Sequence, residues 1–196
     1  MGDAARALVL GSSSPRRREL LAAAGFAFEV AAPDVDERAL PGERAEAHAL
    51  RLALEKARAV ARRAPREACV LAADTIVVVD SDVLGKPRDI DEAVEMLLRI
   101  QGRAHRVLTA YAGIVRALER EEHGVVESEV RMHAVDRASA LVYAQSGEPM
   151  DKAGAYAAQG AGGRFVAEIR GSRSNVIGLP MEAVVPLLAQ LGVEPG

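Results

Sequence analysis

The sequence predicts an α/β protein built on a mixed, twisted sheet with flanking helices. Two observations carry this prediction. Apolar, strand-like runs alternate with amphipathic helical patterns along the 196 residues. At least two pairs of these strands are joined by short, hairpin-like links, which favours a mixed sheet over a purely parallel one. The sequence contains no internal repeat, low-complexity tract or linker, so we expect one domain spanning residues 1–196.

Composition and charge narrow the class of protein. Apolar residues make up 49% of the chain and charged residues 27%, as in globular proteins. The net charge of −3 and the lack of tryptophan argue against a nucleic-acid partner. The single Cys69 fits a reducing compartment. No apolar run approaches the ~20 residues of a membrane span, and the N-terminal "MGDAARALVL" lacks the features of a signal peptide. We therefore expect a soluble, cytoplasmic protein with no membrane partner.

The first half of the chain is predicted to alternate between strands and helices. A strand at 7–10 leads into a helix at about 15–24, with Ser14 as N-cap and Gly25 as the stop. A short strand and an irregular loop follow, and then the helix "AEAHALRLALEKARAVARRA". The residues expected on its apolar face are Leu50, Ala53, Leu54, Ala57 and Ala61. The segment "ACVLAADTIVVVDSDVLG" predicts a long strand that turns at residues 80–82, and "DIDEAVEMLLRIQG" predicts a helix.

The second half begins with a predicted hairpin. "HRVLTAYAGIVRAL" is a long strand, "EREEHG" its turn and "VVESEVRMHAV" the returning strand. Asp136 is expected to cap the short helix "DRASALVYAQSG". A glycine-rich stretch follows with one strand, "RFVAEI", and the helix "MEAVVPLLAQLG" closes the pattern, with Pro186 expected to kink it.

The segment "LGSSSPRRREL" predicts an anion-binding corner. A strand, a loop of small residues and a helix N-terminus together form a phosphate cradle. Ser12 and Ser14 offer hydroxyl groups, while Arg16 and Arg17 offer guanidinium forks for phosphate oxygens. The alternative is an ordinary helix start with solvated arginines. The P-loop pattern is absent, so this is not a Walker A site.

Asp74 stands inside a strongly apolar strand, on the same face as Ala72, Ile76 and Val78. Burying an isolated carboxylate is costly, so this group should be paired, protonated or bound to a metal. The alternative is a structural aspartate that accepts hydrogen bonds from the backbone. We favour a functional role, because apolar residues flank Asp74 on both sides.

Four further polar residues allow two interpretations when each is taken alone. Lys56 lies beside the apolar stripe of its helix, where a lysine that extends its charged end to solvent is the commoner explanation. Lys86 reads as a surface lysine, and Glu37 as part of a solvated acidic loop. Gln159 carries an amide able to bind the edge of a base, but its small-residue surroundings also fit a flexible surface loop. The histidines lack metal-ligand spacing, and no nucleophile elbow is present.

Six ordered segments together resemble a known family. They are "SSSPRRRELL", "LALEKARAVA", "AADTIVV", "LGKPRDIDEAVEMLLRIQGRAHRVLTA", "GEPMDKAGAYAAQG" and "NVIGLP". From about Leu8 to Met181 the chain is similar to the Maf family of nucleoside triphosphate pyrophosphatases. The resemblance implies two lobes around a cleft, similar to the inosine triphosphate pyrophosphatases, and leaves a homodimer open. It also implies cleavage between the α- and β-phosphates of a nucleoside triphosphate, with Mg²⁺ or Mn²⁺ as cofactor.

The same resemblance assigns roles to individual residues. Asp74 matches the catalytic proton acceptor, and Glu37 falls near an acidic position that would assist it in catalysis and in metal binding. Lys56 and Lys86 match two functional lysines, of which Lys56 is expected to act in catalysis and Lys86 to bind substrate. The remaining positions expected to contact substrate are Ser12, Ser14, Arg16, Arg17, Thr75 and Gln159.

The family divides by substrate. The pattern "DKAGAY…QG" resembles the branch that acts on dTTP, UTP and modified uridine triphosphates, and Arg16, Thr75 and Gln159 match the positions tied to that choice. Arg173 departs from the branch's usual pattern before "NVIGLP". Two alternatives stay open: a 7-methyl-GTP pyrophosphatase, and a nucleotide-binding regulator of cell division and septum formation with slow hydrolysis.

Overall fold

The computed structural model describes residues 6–196. The expectation about a signal peptide concerns in part residues 1–5, which lie outside the described residues. The strands are β1 (Leu8–Leu10), β2 (Phe28–Val30), β3 (Cys69–Val79), β4 (Asp82–Leu84), β5 (Ala104–Val115), β6 (Arg120–Met132) and β7 (Val166–Arg170). The α-helices are α1 (Pro15–Ala23), α2 (Ala45–Ala61), α3 (Ile90–Ile100), α4 (Arg137–Gln145), α5 (Arg173–Ile177) and α6 (Met181–Gln190).

The strands form a seven-stranded sheet in the order β2-β1-β3-β5-β6-β7, with β4 paired to β3. β1 runs parallel to both β2 and β3. β4 is antiparallel to β3, and β7 is antiparallel to β6. The mixed sheet and the α/β class predicted from the sequence are therefore confirmed.

The described chain forms two compact units. The first unit contains the described residues up to Asp74 together with Thr109–Val126 and Gly178–Gly196. Its core joins β1, β3 and α1 to the C-terminal helix α6, through fully buried side chains such as Leu10, Leu21, Leu71 and Leu188. A Cβ atom on Gly113 would lie 2.6 Å from Leu191, so only glycine lets the chain after α6 pack this closely on β5.

The second unit contains Thr75–Leu108 and Glu127–Ile177. Helices α3 and α4 supply much of its core, through buried residues such as Leu97, Ile100 and Tyr143. The cap predicted at Asp136 is confirmed, since its carboxylate accepts from the Ser139 amide; the Asp89 carboxylate likewise accepts from the Glu92 amide at the start of α3. No helix in the described part of the chain is long and apolar enough to cross a membrane.

Two local predictions were wrong. The buried face of α2 includes Ala49, Leu52 and Lys56, whereas the predicted Leu50 and Leu54 are only partly buried. The segment "EREEHG" is not a turn. The chain reverses earlier, at the 3-10 turn Arg116–Leu118 and Glu119, whose φ is 51°.

The glycine-rich stretch also differs from its prediction. It contains the predicted strand as β7, but also 3-10 turns at Glu148–Asp151, Ala153–Ala155 and Gly160–Phe165, and the unpredicted helix α5. Ala155, Tyr156 and Ala157 are buried there, so this part of the stretch is packed rather than a flexible surface loop.

Candidate active site

In the first unit, the parallel strands β1 and β2 end beside the middle of β3, and all three strands lead to candidate residues there. Leu10 pairs with Val30 on one side and with Leu71 on the other. β1 leads into the loop before α1, and β2 leads into the loop that carries Glu37. Asp74 lies on β3 three residues beyond the partner of Leu10, level with the loop before α1. Polar groups beyond the carboxyl ends of parallel strands are where α/β proteins place their ligand sites.

The loop between β1 and α1 is held tightly against β3. The Gly11 amide donates to the Leu71 carbonyl at 2.7 Å, and a Cβ atom on Gly11 would lie 3.2 Å from the Ala72 Cβ. Ser12 is buried, and its Oγ accepts from the Ser14 amide at 3.2 Å and from Arg17 Nη1 at 3.1 Å. Arg17 is thereby fixed to the loop that the sequence predicts as a phosphate cradle.

Ser14 is the N-cap residue of α1, as predicted, but its side chain makes no capping hydrogen bond. The Ser12 hydroxyl binds the Ser14 amide instead. Arg17 is also anchored from the far side, since its Nε donates to the Gly178 carbonyl at 2.7 Å. The first turn of α1 contains no acidic residue, so its arginines and the helix dipole produce positive potential together.

Lys56 joins two carboxylates. Its ammonium Nζ lies 2.6 Å from Asp74 Oδ1 and 2.6 Å from Glu37 Oε1. The Lys56 and Asp74 side chains are only 7% and 11% exposed, whereas Glu37 is 48% exposed. The interpretation of Lys56 as a lysine that extends to solvent is therefore wrong. Asp74 is paired, which is one of the three states that the sequence left open for a buried carboxylate there.

The arginine corner and this ionic triad influence each other electrostatically. Burial lowers the pKa of the Arg17 guanidinium, and the neighbouring charge of Arg16 lowers it further. The negative charges of Asp74 and Glu37 oppose that shift. The structure thus brings together Ser12, Arg16, Arg17, Glu37, Lys56 and Asp74, which the sequence could only propose one by one.

The other three candidate residues belong to the second unit. Thr75 is half-buried on β3, Lys86 is exposed between β4 and α3, and Gln159 is exposed directly before the turn Gly160–Phe165. The segment around Lys86 is tied to the glycine-rich stretch, because the Gly154 amide donates to the Gly85 carbonyl at 3.0 Å.

A carboxylate network holds the chain on the C-terminal side of Gln159. Glu148 accepts from the Ala161 amide at 3.1 Å, from the Gly162 amide at 3.0 Å and from the Tyr143 hydroxyl at 2.8 Å. On the other side, Arg173, the residue that departs from the branch pattern, donates to the Ala158 carbonyl at 3.3 Å. Gln159 therefore sits between two anchored neighbours.

The carboxylates of the first unit can be compared with what a divalent cation requires of its ligands. In the part of the chain that the structure describes, no three His, Cys, Asp or Glu side chains are grouped so as to hold a metal ion by themselves. Asp74 and Glu37 do converge on one cationic point, the Lys56 ammonium. Mg²⁺ is often held by one or two carboxylates plus phosphate oxygens of the substrate. The two carboxylates fit a cation shared with phosphate.

Sequence reasoning missed a second polar cluster beside this site. Glu43 accepts from Arg51 and lies 3.0 Å from His48 Nδ1, and all three side chains are largely buried. The signal was weak: an acidic residue just before a helix, and a histidine and an arginine three residues apart on that helix.

Comparisons with known proteins identify the family. The family model described as Maf-like protein matches residues 7–191. The chain belongs to the Maf family. A relative from Myxococcus xanthus is 52% identical over 186 residues, which cover 95% of this chain and 93% of that protein. It bears the name dTTP/UTP pyrophosphatase.

Two other members of the Maf family carry the same name. The protein from Anaeromyxobacter dehalogenans is 52% identical over 189 residues, with 94% of each chain covered. The protein from Symbiobacterium thermophilum is 50% identical over 185 residues, again with 94% of each chain covered. Among solved structures, a HAM1 protein from Coxiella burnetii matches with a TM-score of 0.46 and 18% identity, covering 95% of this chain and 98% of that one.

Proposed function

We propose that this protein hydrolyses dTTP and UTP to the nucleoside monophosphate and pyrophosphate. The observation that carries the proposal is the Lys56 ammonium held between Asp74 and Glu37, beside a helix start that presents arginines. The names of relatives about half identical over nearly the whole chain support the same substrate.

In this proposal the arginine corner binds the triphosphate. A triphosphate carries about four negative charges near neutral pH, and arginine forks match phosphate oxygens in geometry as well as charge. Arg17 is held in place by Ser12 and Gly178, so little side-chain entropy is lost when it binds an anion. Arg16, Ser12 and Ser14 complete the set of groups assigned to the phosphates.

Asp74 would accept a proton from the water that attacks the α-phosphorus. The new bond joins the water oxygen to the α-phosphorus, and the bond to the bridging oxygen breaks so that pyrophosphate leaves. The Lys56 ammonium lies 2.6 Å from Asp74 Oδ1 and would neutralise charge that develops on the α-phosphoryl oxygens. A Mg²⁺ or Mn²⁺ ion held by Asp74, Glu37 and phosphate oxygens would supply further charge neutralisation.

The roles assigned to the second unit rest on the family resemblance. We propose that Lys86 binds the phosphates and that Thr75 and Gln159 contribute to the choice of base. The Gln159 amide both donates and accepts, which suits the imide edge of uracil or thymine. Its anchored neighbours support a fixed orientation for that amide.

The test is a pyrophosphate-release screen of purified protein against dTTP, UTP, other canonical triphosphates and 7-methyl-GTP, with Mg²⁺ or Mn²⁺. Preferential turnover of dTTP and UTP, abolished by a chelator and restored by either cation, is the expected result. Preferential turnover of 7-methyl-GTP would assign the other branch. Nucleotide binding without turnover would contradict the proposed reaction and favour a regulator.

A further inference from the structure

The residues from 31 to 44, between β2 and α2, contain no helix or strand. Long connections without secondary structure usually serve a function or are disordered. This one carries Glu37, whose Oε1 lies 2.6 Å from Lys56 Nζ. Glu37 is 48% exposed, so packing does little to hold its side chain, and its position depends on how the backbone around it is fixed.

The cluster of Glu43, His48 and Arg51 lies where this segment enters α2. Both Glu43 oxygens are occupied: Oε1 accepts from Arg51 Nε at 2.7 Å, and Oε2 accepts from Arg51 Nη2 at 2.8 Å. Oε2 also accepts from the Leu40 amide at 3.1 Å and lies 3.0 Å from His48 Nδ1. These contacts, the Arg51 hydrogen bonds first, lower the pKa of Glu43 to about 2, so it stays ionised at neutral pH.

The Arg51 guanidinium does more than pair with Glu43. Its Nη2 also donates to the Arg38 carbonyl at 3.0 Å, and Arg38 is the residue after Glu37. On the other side of Glu37, the Asp36 carboxylate accepts from the Arg38 amide and from its guanidinium. The backbone on both sides of the carboxylate is thus tied, directly or through Arg38, to Arg51 on α2.

Helix α2 therefore carries both the partner of Glu37 and the anchor of its backbone. A bound triphosphate competes for the Lys56 ammonium, so the backbone contacts of the Glu37 segment matter most when substrate is present. The Arg51 contacts involve no group assigned to the substrate, so they persist when the phosphates bind. The two hydrogen bonds from Arg51 to Glu43 would be enough to fix the N-terminal end of α2. The additional hydrogen bond to the Arg38 carbonyl instead fixes the residue next to Glu37.

We infer that Arg51, held by Glu43 and His48, is a positioning residue that fixes Glu37 relative to Lys56 and Asp74 during turnover. The inference rests on the proposed function for its catalytic consequence, but its structural part does not. A displacement of about 1 Å in a reacting constellation costs on the order of 100-fold in rate, so a partial loosening of this segment should be measurable.

The test compares Arg51→Lys with Arg58→Lys. Arg58 lies on the same helix and also forks onto a glutamate, Glu121, at 2.9 and 2.6 Å, but that partner lies on β6 and not in the Glu37 segment. We expect Arg51→Lys to lower kcat on dTTP by about ten-fold with KM changed by less than about two-fold. Arg58→Lys should change neither by more than about two-fold.

A double-mutant cycle separates positioning from general stability. In a Glu37→Gln background, Arg51→Lys should lower kcat by less than about two-fold, because the carboxylate that it positions is already gone. An equal loss in both backgrounds would overturn the inference. Glu43→Gln probes the same contacts from the other side and decides the question if Arg51→Lys does not fold.

Amide hydrogen exchange gives a readout that needs no activity. Exchange at residues 36–40 should be faster in Arg51→Lys than in the unmodified protein and in Arg58→Lys. Unchanged exchange there would overturn the inference even if kcat fell. If the unmodified protein does not hydrolyse dTTP or UTP, the proposed function fails, while the exchange result still supports or rejects the anchoring of this segment by Arg51.

Discussion

Replacing Asp74 with asparagine should lower the rate of hydrolysis much more than it lowers the stability of the fold. The side chain is 11% exposed, and its Oδ1 accepts from Lys56 Nζ at 2.6 Å. Asparagine keeps an acceptor oxygen of the same size but loses the charge, and a hydrogen bond to a charged group contributes about 1 kcal/mol more than a neutral one. Because Glu37 still pairs with Lys56, no charge is left unpaired, so we expect the free energy of unfolding to fall by about 1–2 kcal/mol and the fold to survive.

The same substitution should lower kcat by about 10²- to 10⁴-fold, the usual contribution of a positioned general base. Pyrophosphate release from dTTP measures the rate, and urea denaturation measures stability. The matched control is Asp82→Asn, which removes a carboxylate that is 61% exposed and paired with Arg99, and which should change stability by less than about 1 kcal/mol. Near-normal turnover by a folded Asp74→Asn variant would refute the catalytic assignment.

Two further changes test groups in the second unit. Gln159→Glu should reduce turnover of dTTP and UTP relative to other triphosphates, because an ionised carboxylate cannot donate to a base; an unchanged substrate ranking would remove Gln159 from base recognition. Burial lowers the pKa of His105 to about 4 while its Nε2 lies 2.8 Å from the Tyr156 hydroxyl. The unfolded chain binds that proton below about pH 6.5, so His105 should remove about 3 kcal/mol of stability between pH 7 and pH 4. Urea denaturation of His105→Gln should show a correspondingly smaller loss on acidification.

Sequence patterns predicted the helices and strands well where short-range interactions decide the structure. The cap at Asp136 follows from a short-range hydrogen bond, which a sequence pattern can report. The segment "EREEHG" failed as a turn because most of its charged residues lie on β6, where they pair with a side chain on α2 and with each other. Arg58 pairs with Glu121 and Arg120 pairs with Glu122, and the strand β6 can therefore begin at Arg120. A run of charged residues looks like a turn only while those partners are unknown.

The residues of the candidate site were predicted from the sequence, but the contacts between them were not. Helical phase placed Lys56 beside an apolar stripe, and nothing local showed that Asp74 and Glu37, from a strand and a loop, would meet its ammonium. The family resemblance supplied roles for these three residues but not their contact. The Arg51 cluster was missed by both routes, because its contact with the Arg38 carbonyl involves a backbone atom and leaves no side-chain pattern.

Stability alone does not explain why Lys56 and Asp74 are buried. Replacing a buried ion pair with apolar groups of similar volume is often neutral or stabilising by about 1–4 kcal/mol, whereas removing one partner costs about 3–5 kcal/mol. We therefore expect Lys56→Met alone to destabilise the protein, and the double change Lys56→Met with Asp74→Leu to recover most of that loss by urea denaturation. The double variant should nevertheless release no pyrophosphate from dTTP. A stable but inactive double variant would show that the buried ion pair serves the reaction rather than stability. A double variant less stable than Lys56→Met would show that the pair stabilises the fold.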